Sequence, residues 1–386
     1  MDHLATPPKV LVAPLDWGLG HATRCVPVIR QLLKEGCTVL LAGNHKVKAV
    51  LQPEFPQLEF FYLHGYEIEY ASTSWGLPFK IVAQIPTIFS AIKKEERWLK
   101  DLMQKEGIDA VISDNRYGLQ SSKIPSVFIT HQLRIRTPLT FADNLLQKIN
   151  YHYINRFTAC WIPDAAGINN LSGELGHPQK GPKTPLRYIG LLTRFSGRQN
   201  IAQKHLLIIL SGPEPQRTMF EKRLIEDLKA YTKPVIFIRG LPGATATIKM
   251  AANISVYNHL PASELEERIG EASFIISRCG YSTVMDMAAM QKKAILIPTP
   301  GQTEQQYLAK HLMKKKFALC VEQKRFRLKA ALELAQSFPY AFETKGQNKL
   351  QEAAQWLIKE IASRRNLVLN YPHEEENVKI VDRSQK

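Results

Sequence analysis

Nothing in this sequence is long and apolar enough to cross a bilayer, since its longest apolar runs are strand-length. The chain opens Met1-Asp2-His3 and soon reaches Pro7-Pro8, with neither the basic region nor the apolar core of a signal peptide, so no export leader is expected. Cysteine is sparse. Cys25, Cys37, Cys160, Cys279 and Cys320 are odd in number and scattered, with no pair at metal-ligand spacing. That pattern excludes a disulfide framework and a zinc finger, and reads as reduced thiols in a cytoplasmic protein. There is no RNP-like aromatic strand and no recognisable helix-turn-helix pattern, so nucleic acid is not an expected partner. No tandem repeat is visible.

Acidic residues are also in short supply, with 35 against 51 Lys and Arg, leaving a net charge of +16. An anionic partner follows: a phosphorylated substrate or an anionic membrane face, or else the excess is a solvated surface. With 386 residues, 45% hydrophobic and 22% charged, the chain is an ordinary globular protein beyond the size at which one core keeps growing. Two domains are expected.

Strand and helix patterns alternate along the chain. Lys9 to Ala13, Thr38 to Ala42, Leu58 to Leu63, Ala110 to Ser113 and Ser126 to Thr130 read as strands, and Ala22 to Lys34 as a helix stopped by Gly36. Gly and Pro recur from Gly173 to Arg187, which reads as a linker. The alternation then restarts with strands at Leu206 to Leu210, Val235 to Ile238, Ile254 to Tyr257, Phe274 to Ser277, Ala294 to Pro298 and Ala318 to Val321. The fold class is therefore α/β, two doubly wound parallel sheets. Residues 1–172 form the first domain, 173–190 the linker, 191–340 the second domain, 341–371 a long helical region and 372–386 a charged, loose tail.

The richest segment lies between Ile275 and Gln306. Its first loop, Arg278-Cys279-Gly280-Tyr281-Ser282-Thr283, lets the backbone approach a phosphate at Gly280, while Ser282 and Thr283 open a helix whose free N–H groups attract anions. Asp286 follows one turn on, where its carboxylate suits the hydroxyls of a ribose; Thr283 and Asp286 also match a capping box. After the next strand, Thr299 to Gln305 forms a second loop, and Glu304 and Gln305 are placed to hold a sugar. The segment resembles the C-terminal domain of family-28 glycosyltransferases, in which a Gly-x-Ser-Thr-x-x-Glu loop and helix hold the nucleotide and a later Gln-containing loop the sugar. Here the acid is Asp286, one methylene shorter. The resemblance implies the GT-B fold, two Rossmann-like domains facing a cleft with a C-terminal helix crossing back to the first.

Gly18 and Gly20 begin a dinucleotide fingerprint, but Thr23 replaces its third glycine and the second strand ends in Gly43-Asn44, so no nicotinamide cofactor is expected. The loop instead presents His21 at a helix N-terminus, which disfavours the imidazolium and keeps a neutral base available; the alternative is that His21 only caps the helix. Gly20 and His21 match part of the family's Gly-Gly-His. The pattern Gly-x-Gly-His-x-x-Arg is also similar to the UDP-sugar hydrolase of pseudaminic acid synthesis, so transfer and hydrolysis both stay open. Asp114 is a second base, an orienting partner of His21, or an Asx turn, and Asn115 and Arg116 after it, where a parallel sheet opens to its ligand, are expected on the acceptor side. His131 and Gln132 stand where the family has a His-Glu-Gln-Asn stretch lining the acceptor side. Ser211 and Gly212 resemble its Gly-Gly-Ser donor loop, stiffened by Pro213 and Pro215, and Arg194 resembles the arginine of its Gly-x-x-x-Arg.

The chain has no Asp-x-Asp pair to hold a divalent metal, so arginine, hydroxyls and helix N-termini must meet the leaving-group charge. From Trp75 to Lys105, apolar residues alternate with Lys80, Lys93, Lys94, Arg97 and Lys100, either a core-packed helix or an element that rests on an anionic membrane. The expectation is a metal-independent, inverting transferase without cofactor, moving a sugar from a UDP-sugar donor to an envelope glycan or lipid-linked acceptor. Its rivals are a UDP-sugar hydrolase and a non-catalytic sensor.

Overall fold

A computed structural model of the chain describes residues 6–66, 77–137, 140–197, 203–246, 248–342 and 348–370. In the first half β1 (Lys9–Pro14), α1 (Leu19–Lys34), β2 (Thr38–Gly43), α2 (His45–Glu54), β3 (Phe60–Tyr62), α3 (Leu77–Glu106), β4 (Ala110–Asp114), β5 (Ser126–Ile129), α4 (Thr140–Ile154), β6 (Ala159–Ile162) and β7 (Leu186–Tyr188) succeed one another. The strands pair in parallel in the order β3-β2-β1-β4-β5-β6-β7. Val10 to Ala13 and Ala110 to Ile112 have no exposed surface. Helices cover both faces of such a sheet, which is why these strands are continuous apolar runs.

In the second half come β8 (His205–Ile209), α5 (Gln216–Leu228), β9 (Val235–Ile238), β10 (Ile254–Tyr257), α6 (Ala262–Gly270), β11 (Ala272–Arg278), α7 (Tyr281–Met290), β12 (Ala294–Ile297), α8 (Thr303–Lys314), β13 (Leu319–Cys320), α9 (Leu328–Ser337) and α10 (Leu350–Asn370). Their sheet is parallel too, in the order β10-β9-β8-β11-β12-β13. Helix α10 then returns to the first half. Gln355 bonds Glu35, Arg364 bonds the Ser122 carbonyl, and Arg365 grips Asp109 at 2.9 Å.

Strand order reverses at two places, between β1 and β4 and between β8 and β11. At each reversal the two loops leave in opposite directions and open a crevice at the C-terminal ends of the strands, where ligands of open α/β sheets bind. One crevice is framed by Leu15 to Gly18 and Asp114, the other by Ser211-Gly212 and Cys279-Gly280. The stretch read as a linker is more structured than expected: Gly173–Leu175 forms a 3₁₀ turn, and β7 extends the first sheet by pairing with β6. A three-residue turn and a three-residue strand among glycines and prolines leave too little periodicity to be read in advance.

Candidate active site

His21 is the third residue of α1, and Asp114 is the last residue of β4. The register that sets Pro14 beside Asp114 delivers the carboxylate to the start of α1, where His21 Nδ1 lies 2.9 Å from Asp114 Oδ1. One turn further along α1, Arg24 grips both oxygens of the same carboxylate, with Nε at 2.5 Å from Oδ2 and Nη2 on Oδ1. Nδ1 of His21 also lies 3.1 Å from Arg24 Nη2, but the ionised carboxylate is nearer and can only accept, so the Nδ1 proton is directed to Asp114 and Nε2 is left as the free lone pair. Burial holds the imidazolium of His21 below the ordinary histidine value, and Arg24 adds to the effect against the opposing pull of Asp114. Burial alone would raise Asp114, but the Arg24 guanidinium and His21 keep its carboxyl well below the usual carboxylate range. Asp114 is fully buried with both oxygens taken by His21 and Arg24, a placement that suits an orienting partner of His21, and among the described residues its carboxylate makes no Asx turn.

The same arginine reaches a second histidine. Arg24 Nη1 is 3.0 Å from His131 Nδ1, so His131 carries its proton on Nε2 and donates it to Glu304 Oε1 at 2.7 Å. His131 also stacks on Tyr281, centroids 4.2 Å apart and planes at 3°. Arg24, Asp114, His21 and His131 come from the first half, Tyr281 and Glu304 from the second. The two halves therefore meet in one polar network.

Facing it, α7 begins at Tyr281 with Gly280 as its N-cap and no side chain satisfying its first amides. No protein atom lies within 4 Å of where a Cβ on Gly280 would stand, and its φ of −77° is open to any residue; the value of glycine there is the clear approach to the helix N-terminus. Ser282 Oγ donates to the Gly20 carbonyl at 2.9 Å across the domain boundary. The contact is so close that a Cβ on Gly20 would stand 2.7 Å from Ser282 Oγ. Asp286, in the second turn, is too far along α7 to bond its N-cap amide, which removes the capping-box reading. Its Oδ1 instead accepts from Thr193 Oγ1 at 2.7 Å, and burial pushes its pKa up to about 7 against the pull of Thr193 and Arg194. His259 is held below its ordinary value by burial and by Arg194. Gly212, at φ +100°, packs over Thr299 and Arg278. Arg278 is buried and bonds Gln323 Oε1 and the Gln216 carbonyl, and burial lowers it to about 10.

Residues 245–361 match the glycosyltransferase family 28 C-terminal domain. Over this stretch the chain carries the C-terminal domain of the family-28 glycosyltransferases. It is 24% identical over 349 residues to the UDP-N-acetylglucosamine–N-acetylmuramyl-(pentapeptide) pyrophosphoryl-undecaprenol N-acetylglucosamine transferase of Haemophilus ducreyi, with 87% of this chain and 90% of that protein covered. The transferase of the same name from Buchnera aphidicola is 24% identical over 327 residues, covering 82% and 86%. Among solved structures, the glycotransferase of kitacinnamycin superposes with a TM-score of 0.61 at 15% identity, over 95% of this chain and 99% of that one. Acinetobacter baumannii MurG superposes with a TM-score of 0.52 at 17% identity, over 92% and 100%. The fold is GT-B.

Within this family-28 frame the expected residues divide. His21, Asp114, His131 and Glu304 converge in the network, with Gly20 and Ser282 bonded beside it. Arg194 and Asp286 gather one turn further along α7, where Thr193 bonds the carboxylate. Gln305 braces its own loop, its Oε1 accepting from the Thr299 amide at 2.9 Å. Asn115 takes φ +57°, Gln132 donates its amide to Thr130 Oγ1, and neither side chain joins the network through a bond among the described residues. Arg116 is not on the acceptor side. It is fully buried on Glu95 and the carbonyls of Pro14 and His64, because a guanidinium there satisfies backbone left unpaired below the loop. The sequence marks Arg24 only as the arginine of the Gly-x-Gly-His-x-x-Arg pattern, without a role, and singles out neither Thr193 nor His259. The i, i+3 spacing of His21 and Arg24, which puts both on one helix face, was the available signal for the first.

Proposed function

We propose that this chain is a metal-independent, inverting glycosyltransferase that moves a sugar, an N-acetylhexosamine, from a UDP-sugar donor to a hydroxyl of an envelope glycan or lipid-linked acceptor. The observation that carries the reading is the His21–Asp114 dyad at one switch point, bonded through Gly20 and Ser282 to the uncapped α7 N-terminus at the other. The names of the relatives from Haemophilus ducreyi and Buchnera aphidicola, which act with UDP-N-acetylglucosamine, support it. His21 Nε2 takes the proton of the attacking hydroxyl, Asp114 fixes the tautomer, and Arg24 keeps Asp114 ionised. The leaving diphosphate lies against the amides of Tyr281, Ser282 and Thr283, with Arg194 as the nearby cation. Asp286 accepts from the ribose, and Glu304 exchanges its bond with His131 for a hydroxyl of the sugar.

The direct test incubates enzyme, UDP-sugar and envelope lipid and glycan extracts, and looks by mass spectrometry for products heavier by one sugar. Free sugar and UDP alone, formed at a rate indifferent to every acceptor, would assign the site to hydrolysis.

Asp286 adds a pH signature. With its pKa near 7, the group is mostly a neutral acid at pH 6 and mostly a carboxylate at pH 8, and only the carboxylate accepts from both ribose hydroxyls. Affinity for a UDP-sugar, whose diphosphate does not titrate in this range, should rise about three- to tenfold from pH 6 to pH 8. Asp286→Asn should bind about 30-fold more weakly at pH 8 and show no such slope. Calorimetry at both pH values reads it, and an unchanged affinity in a folded variant removes the ribose role.

Association with an anionic membrane is proposed for the start of α3. From Ile88 onward the apolar stripe packs inward, with Ile92, Leu99 and Leu102 buried and Lys93, Lys94, Arg97 and Lys100 outside. Trp75, Gly76 and the side chains of 77–85 lie outside the described residues. Among those described, no helix is long and apolar enough to cross a membrane. The protein should sediment with anionic but not neutral liposomes and be released as salt shortens the Debye length. Equal recovery in the supernatant with both lipids at low salt would refute the association.

A further inference from the structure

Three loops at the C-terminal edge of β1, β2 and β3 hold rings in the open. Trp17, in the loop after β1, is 41% exposed, and Tyr62, at the end of β3, is 47% exposed. His45 opens α2 directly after β2 and lies 5.0 Å from Tyr62, which in turn meets His64 edge-on at 5.0 Å. Trp17 stands edge-on to buried Tyr66 at 6.0 Å. The rings are exposed but not loose. Asn44 Nδ2 bonds Asp16 at 2.7 Å, tying the β1 loop to the β2 loop, and Gly65 presses so close that a Cβ there would stand 2.0 Å from Asp16 Oδ2.

We propose that this aromatic strip holds the acceptor, and that the acceptor segment lying on it is a saccharide. The inference rests on the transferase reading above. Trp17 lies in the loop that feeds α1, four residues ahead of His21, and sheet order carries the strip outward from β1 through β2 to β3, away from the base. Neighbouring strands are about 4.8 Å apart, so the strip reaches roughly 10 Å, the length of about two sugar rings. A pyranose presents a face of C–H groups to an aromatic ring and a rim of hydroxyls to polar neighbours. The strip supplies both, rings from Trp17 and Tyr62 and hydrogen-bonding edges from His45 and His64. Beside His45 it meets a shallow depression of about 490 Å³ along α2, lined also by Lys48, Ala49, Gln52 and Pro53, whose exposed wall is almost wholly apolar.

The test uses the full chain without UDP, and three free oligosaccharides as probes: chitotetraose, maltotetraose and tetragalacturonate. Saturation-transfer NMR is expected to detect at least one of them through its ring C–H protons. Trp17→Ala and Tyr62→Ala should each weaken that probe about three- to tenfold, while Tyr62→Phe preserves it. Calorimetry with UDP on the same samples should give dissociation constants within about twofold of one another, because the donor half is untouched. No transfer to any of the three probes, or transfer equal in wild type and both alanine variants with unchanged melting, overturns the strip. Saccharide binding that survives a failure to bind UDP would uphold the strip and overturn the donor reading instead.

Discussion

His21→Ala is expected to lower kcat by about 10²–10⁴ while the dissociation constant of the UDP-sugar stays within a few fold. The asymmetry follows from placement: Nδ1 is committed to Asp114, so only Nε2 can take a proton, and the proton it takes belongs to the acceptor. Since burial holds the imidazolium below its ordinary value, the base is already free near neutrality, and kcat/KM should fall only as pH drops through that lowered value. Stopped single-turnover kinetics with labelled UDP-sugar, beside equilibrium binding, separates the two effects. A variant that turns over within tenfold of wild type would demote His21 to a residue that only packs α1.

Much of this was legible in the sequence, and the reason is local. Strands β1, β2, β4, β8 and β9 are buried on their sheets and bounded by turn residues, so apolar runs alone mark them within a residue or so. The Gly18–His21 loop and the Gly280–Asp286 helix could be read because a helix N-terminus, its glycine and its anion-seeking amides are all consecutive. What could not be read is long-range. His131 and Glu304 are 173 positions apart, and nothing near either predicts their bond. Arg116 failed for the complementary reason, because its position after Asp114 at a strand end promises an exposed loop while the chain folds it under Pro14 and onto Glu95. Asp114 stood open among three roles until Arg24 was seen to hold both of its oxygens, which only the meeting of β4 with α1 could show.

Asp114→Asn should be nearly as damaging as removing His21, by a different route. An asparagine in that place offers its amide N–H to His21 Nδ1, which moves the imidazole proton to Nε2 and takes away the lone pair that accepts from the substrate; in the serine-protease triad the corresponding change costs about 10⁴ in kcat. The change also strips Arg24 of its carboxylate. Arg24 is 2% exposed, and breaking a buried pair from one side costs about 3–5 kcal/mol, so the melting temperature should fall as well. The acid side of the stability curve provides an internal check. Because Asp114 titrates lower in the folded chain than in the unfolded one, its stabilisation is fully present above the unfolded carboxylate value of about 4 and is lost as pH falls toward the folded value. The stability gap between wild type and Asp114→Asn should therefore be widest near neutrality and narrow on acidification below about pH 4. Urea titrations at pH 7 and pH 3 measure that gap, and kcat on the folded fraction at pH 7 measures the tautomer effect. A gap that does not narrow, or a kcat within tenfold of wild type, would mean that Asp114 neither holds Arg24 nor orients His21.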